Sequence, residues 1–167
     1  MSEEKSLLRY LKNWRVILIL VLIIVFFGAT IYGVMSDTSV HSLTTKIFYA
    51  SRYCTTPSGS SQKKVTFSLS ASVWSSASLH TSVTQASFSL QVDMIGIGTL
   101  NAPDGSWDPG KGAPYQLIFS TVALNPLSLP SSSNLVLSVT GQVSAGIITD
   151  QVTTSDSSIQ NFGSTSC

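Results

Sequence analysis

The sequence predicts an all-β protein, an antiparallel β-sandwich of about seven strands, carried on one N-terminal transmembrane α-helix. Three features carry this expectation. The run Val16 to Val34 (VILILVLIIVFFGATIYGV) holds about 19 residues without a charged side chain, enough to cross the hydrocarbon core as a helix. Beyond it, apolar and polar residues alternate with a period of two in several short segments, the pattern of half-buried strands. No segment after the span shows a helical period, and many short strands separated by Gly/Pro turns form sandwiches.

Taken in order, residues 1–15 form a short basic stub with Lys5, Arg9, Lys12 and Arg15. Residues 16–34 are the span, which must be helical because lipid offers the backbone no hydrogen-bond partner. The first acid after it is Asp37. The positive-inside rule therefore keeps the N-terminus in the cytoplasm and exports everything after Met35, a single-pass topology in a cell membrane. Trp14 falls at the boundary as an interfacial residue, and Arg9, Lys12 and Arg15 face anionic headgroups. A cleaved signal peptide is the competing assignment; its small-x-small site would be Gly28 and Thr30.

Residues 35–62 read as a connector. It is polar from Met35 to Thr45, has an aromatic first-strand candidate from Lys46 to Tyr53 (KIFYASRY), and ends in the turn-forming TTPSGSSQ. Residues 63–167 carry the sandwich. Val65, Phe67, Leu69, Ala71 and Val73 alternate with Thr66, Ser68, Ser70 and Ser72. Ala86, Phe88, Leu90, Val92 and Met94 repeat the pattern, as do Tyr115, Leu117 and Phe119. Leu135, Leu137 and Val139 follow, and past Gly141 come Val143, Ala145 and Ile147. Val152 to Thr154 and Ile159 to Phe162 are weaker strands. The segments Asn101 to Pro114 and Leu124 to Ser133 read as loops.

Only 10% of residues are charged, against roughly 25% in an average soluble protein. Serine and threonine supply the polarity instead. This surface suits O-linked sugars, close packing in an assembly, or surroundings in which ionised side chains are of little use. The exported charges nearly cancel and form no basic stripe, so nucleic acid is not an expected partner. The lipid bilayer and other membrane or envelope proteins are, in an oligomer or a hetero-complex.

The stretch Phe88 to Ser120 (FSLQVDMIGIGTLNAPDGSWDPGKGAPYQLIFS) resembles the central part of late-embryogenesis-abundant group 2 domains, also called water-stress and hypersensitive-response domains. Met94-Ile95-Gly96-Ile97-Gly98 stands where those modules have a glycine-containing turn. Asn134 to Thr154 resembles their closing pair of strands around a glycine, here Gly141. Ser75-Ser76 stands where the family has Asn-Pro. Over Val65 to Thr154 the resemblance implies an immunoglobulin-like sandwich without an enzyme site, and many members carry one N-terminal membrane helix.

Chemistry-bearing residues are few. His41 and His80 are the only imidazoles, and Cys54 and Cys167 the only thiols. These four are too scattered for a zinc site, and no HExxH or nucleophile elbow occurs. No cofactor is implied. Cys54 and Cys167 both lie on the exported side, where disulfides persist. A bridge closing so long a loop is worth on the order of 4–5 kcal/mol in the chain-entropy model. Two free or intermolecular thiols are the alternative. In Asp104-Gly-Ser-Trp-Asp108-Pro-Gly the two carboxylates fit either turn chemistry or a Ca²⁺ contact. Trp107 fits either a ring folded over the sandwich end or a partner anchor.

Three functions follow in order of support. The first is a non-catalytic binding or structural module, an accessory subunit of a membrane complex. The second is a filament subunit that donates Ile47 to Tyr53 after signal cleavage. The third is a redox subunit using Cys54 and Cys167, which lacks a CxxC or an activating base.

Overall fold

A computed structural model of the chain describes residues 13–59, 61–122 and 130–162. The described residues form one helix, α1 (Trp14–Val40), followed by eight strands. These are β1 (Leu43–Thr55), β2 (Lys64–Ser75), β3 (Thr81–Val92), β4 (Ile95–Asn101), β5 (Gly105–Trp107), β6 (Gly112–Thr121), β7 (Ser132–Ala145) and β8 (Ile148–Asn161).

All pairings are antiparallel. One sheet has the order β1-β2-β6 and the other β4-β3-β7-β8, with β5 continuing the β4 edge of β3. The expected β-sandwich on a single helix is what the chain forms. Phe67, Leu69 and Ala71 of β2 face Phe88 and Leu90 of β3 and Leu135, Leu137 and Val139 of β7 across the interior. Each central strand buries every second residue, which is why the period of two was visible in their sequences.

The two sheets are stitched where they approach each other. At the β1/β8 side, the backbone N–H of Ile47 donates to Asp156 Oδ2 at 2.8 Å. Asp156 thus turns a carboxylate inward on edge strand β8, a device that discourages further strand pairing. At the end far from the helix, Arg52 is buried beside Phe67. Its Nη1 donates to Pro130 O at 2.7 Å, and its Cζ lies 4.9 Å from the centre of the Phe162 ring. Burial holds its guanidinium below the ordinary arginine range.

Several boundaries differ from the sequence expectations, and the segment expected as a loop from Asn101 to Pro114 holds β5 and the start of β6. The helix does not stop at Val34. It runs to Val40, so the connector expected from residue 35 shrinks to His41 and Ser42 before β1 begins. The hairpin after β3 turns at Asp93 and Met94, which both have positive φ (48° and 69°). Gly96 and Gly98, expected in a turn, are extended in β4. Met94 is 94% exposed and does not continue the buried set. Gly141 lies inside β7, and the closing hairpin turns instead at Gly146 and Ile147.

Candidate functional site

Two features of the surface are built rather than incidental: the joint between helix and sandwich, and the outer face of the three-stranded sheet.

The joint begins with serines three residues apart on α1 and just beyond it, Ser36, Ser39 and Ser42. That spacing keeps them on one side of a helix, and their small side chains let the backbone approach the sheets. Ser36, Ser39 and Val40 are fully buried there. Ser36 Oγ donates to Tyr32 O at 2.8 Å and accepts from Ile147 N at 3.4 Å. Ser39 Oγ accepts from Leu79 N at 3.3 Å. Ser42 Oγ donates to Ser39 O at 2.7 Å and lies 2.9 Å from Ser75 Oγ, which also accepts from Ala77 N. His41 Nδ1 caps the helix at 3.0 Å from Asp37 O, and its Nε2 is 3.6 Å from Asp150 Oδ2. These bonds, with burial of Val40, outweigh the poor helix propensity of Ser, Asp and Thr in the last turn. The helix therefore enters the sandwich as one continuous element. None of its apolar stretch is buried inside the fold, and it is long and apolar enough to cross a membrane.

The second feature arises from a β-bulge in β1. The pairing with β2 slips between Ile47 and Tyr49, so Ile47 and Ala50 both point inward while Phe48 and Tyr49 both point outward. Bulges commonly re-aim a side chain in this way. Tyr49 is 63% exposed. Register then defines rows across the outer face: Tyr53–Thr66–Ser120, Ser51–Ser68–Ile118, Tyr49–Ser70–Gln116, Lys46–Ser72–Pro114 and Thr44–Trp74–Gly112. Serines of the central strand form a floor between larger side chains on β1 and β6. Gln116 Nε2 donates to Ser70 Oγ at 3.2 Å, and Thr66 Oγ1 lies 3.0 Å from Ser120 Oγ. No carboxylate projects from this face among the described residues, and Lys46 and Lys64 sit toward its two ends. Tyrosine and tryptophan over serine combine large rigid contact area with adaptable hydrogen bonding.

The residues singled out from sequence fall elsewhere. Of the two expectations for Trp107, a ring folded over the sandwich or an exposed partner anchor, the ring is found packed against the fold. Trp107 is only 8% exposed, its ring lying over Gly105, where a Cβ would come within 2.9 Å of it. Asp104 Oδ1 accepts from the N–H of Gln85, a positive-φ residue in the β3 bulge. Asp108 Oδ1 is 3.2 Å from His80 Nδ1, and its Oδ2 accepts from Lys111 Nζ at 3.5 Å. The His80 hydrogen bond, then Lys111, pulls the Asp108 carboxyl below its usual range. Both acids are occupied by local bonding, and no group of three metal-ligating side chains occurs among the described residues. Cys54 packs half-buried against the core and is not a free thiol; Cys167 lies outside the described residues. Trp14 and Arg15 are exposed at the start of α1, and Arg9 and Lys12 lie outside the described residues. Sequence reasoning missed Phe48 and Tyr49, for which the only signal was two adjacent aromatics in a strand-like octet. It also missed the serine triplet, whose spacing was visible.

The fold and its surface thus define a two-sheet β-sandwich on a single apolar helix. The chain matches no protein-family model and no curated protein. Among solved structures, a protein from Archaeoglobus fulgidus is similar at 8% identity and a TM-score of 0.37, over 70% of this chain and 97% of that one.

Proposed function

We propose that this protein is a non-catalytic binding module, anchored by α1 in a cell membrane with its N-terminus cytoplasmic and its sandwich outside. It serves as an accessory subunit of a membrane or envelope complex. The observation that carries this proposal is the two-sided character of α1. Its apolar stretch finds no cover in the fold, while its last turn is locked into the sandwich. Such a helix suits a bilayer on one side and a rigid domain on the other.

The partner surface in this proposal is the outer face of β1-β2-β6. Its occupant is a neighbouring membrane protein with a neutral to acidic face, complementary to a surface that has lysines and, among the described residues, no carboxylates. Exposed aromatics are the side chains that most often dominate binding energy. A soluble glycan is the other class of ligand that aromatics and hydroxyls can hold. The helix favours a membrane neighbour because it holds the face close above the lipid.

A filament subunit would have to release β1, which pairs with β2 of its own chain from Leu43 to Thr55. We also propose that Cys54 pairs with Cys167, the only other cysteine, which would leave no thiol for redox work. The domain would then resemble the group 2 modules named above in lacking an enzyme site.

Carbonate washing of native membranes, intact mass, and an N-terminal tag read before and after permeabilisation test the anchor. The proposal expects wash-resistant, full-length protein whose tag is reached only after permeabilisation. Extractable protein beginning near Thr30 to Ser36 would contradict it.

A further inference from the structure

We infer that the β7–β8 hairpin tip is a second membrane contact, with Ile147 entering the headgroup–acyl boundary of the outer leaflet beside α1. The inference rests on the assignment of α1 as a membrane span.

The tip is the tight turn Gly146-Ile147, inside the apolar run Ala145 to Ile148. Ala145 is buried, but Ile147 is 72% exposed, an unusual position for an isoleucine in a turn where polar residues normally face water. The turn is held against the helix, not free of it. Ile147 N bonds Ser36 Oγ at 3.4 Å. Gly146 has φ +58°, and a Cβ there would collide with Ser36 Oγ and come within 3.1 Å of the Tyr32 hydroxyl. The tip therefore lies level with the helical turn from Tyr32 to Ser36.

That level is where the apolar run gives way, Val34 and Met35 being followed by Ser36 and Asp37. Tyr32 is half-exposed and suits the aromatic belt at the membrane–water boundary. Charge begins within the next turn, with Asp37 of the helix and Asp150 of β8 each within 4 Å of the His41 ring. On two separate stretches of chain, α1 and the hairpin, the change from apolar to charged occurs at the same height. One helix alone leaves a domain free to rock about the span; a second apolar contact fixes its tilt. Lipid at this height accounts for Ile147 and Tyr32 together.

The test uses the full chain in phosphatidylcholine nanodiscs, with the photocrosslinker benzoylphenylalanine placed at one position at a time. The positions are Phe27 in the span, Ile147 at the tip and Ile159, which is equally exposed on β8 far from the helix. Intact mass reports addition of one phospholipid. The inference expects lipid adducts at Phe27 and Ile147, the latter about ten-fold above Ile159, as for a side chain seated in the interface. Adduct at Phe27 with Ile147 no higher than Ile159 would overturn the inference and leave the span intact. Absence at both Phe27 and Ile147 would overturn the span and the inference together. A protein–protein adduct at Ile147 in native membranes, replacing the lipid adduct, would assign the tip to a partner and overturn the lipid contact.

Discussion

On the outer face of β1-β2-β6, Phe48, Tyr49, Tyr53, Trp74 and Ile118 stand around a floor of serines. On the outer face of β4-β3-β7-β8, the corresponding positions hold Ser87, Ser89, Ser138, Thr140, Gln142, Thr153 and Ser155, and Val136 and Ile159 are the apolar exceptions. Threonines and serines of neighbouring strands there satisfy one another, as in Thr140–Thr153 at 2.9 Å and Ser144–Thr149 at 2.8 Å. Both faces cover the same core and both avoid carboxylates. They differ in apolar surface that a partner could desolvate. Hydroxyl pairs return little on binding because water already satisfies them, whereas a buried aromatic returns area and shape. One face thus offers apolar surface to desolvate, and the other offers little.

The comparison can be broken most severely from beneath. Phe67→Ala removes a fully buried ring shared by both faces and is expected to destabilise by about 3–5 kcal/mol. Denaturant unfolding of the detergent-solubilised chain measures it, and both faces should be lost in one transition.

Gly112→Ala acts on one sheet. A Cβ at Gly112 would fall on Val73 O and Trp74 Cβ of the neighbouring strand, so a loss of about 1–3 kcal/mol is expected. Hydrogen exchange should show protection lost in β6 and the end of β2 while β7 and β8 are unchanged. Equal loss in both sheets would mean that the faces are not independently supported.

Replacing Phe48 and Tyr49 together by alanine should change stability little, since both are exposed. It should weaken partner binding by about 2 kcal/mol or more, roughly thirty-fold. The control on the other face, Thr140→Ala, should alter stability within about 0.5 kcal/mol and leave partner binding unchanged. Affinity of the reconstituted complex measures both.

The smallest effect concerns pH. Asp108 has a lowered pKa, from His80 first and Lys111 second. Its contribution is present above the unfolded carboxyl value of about 3.9 and is lost as pH falls through the lower folded value. In Asp108→Asn the melting temperature should depend less on pH in that acid window. The effect is small because the pair is solvent-screened.

What could be read from sequence follows where burial is one-sided. β2 was legible because Val65, Phe67, Leu69, Ala71 and Val73 all face the core and serines face out. β8 was nearly invisible because its inward residues include Thr154, Asp156 and Ser158, so hydropathy does not alternate along a strand that nonetheless runs fourteen residues. The last turn of α1 was unreadable for a related reason: polar residues Ser36, Asp37 and Ser39 became helical through contacts with β7, β8 and the loop before β3. Trp107 was undecidable from its own neighbours, since Gly105 makes the ring's seat only once β5 pairs with β3. The bulge that turns Tyr49 outward depends on register with β2, which no local pattern encodes.

The difference between the two faces is tested most directly by benzoylphenylalanine at Tyr49 or at Thr140, irradiated in native membranes and resolved by mass. The account predicts one discrete adduct with an integral membrane protein from Tyr49 and none from Thr140. An adduct from Thr140 alone, or equal adducts from both, would contradict it.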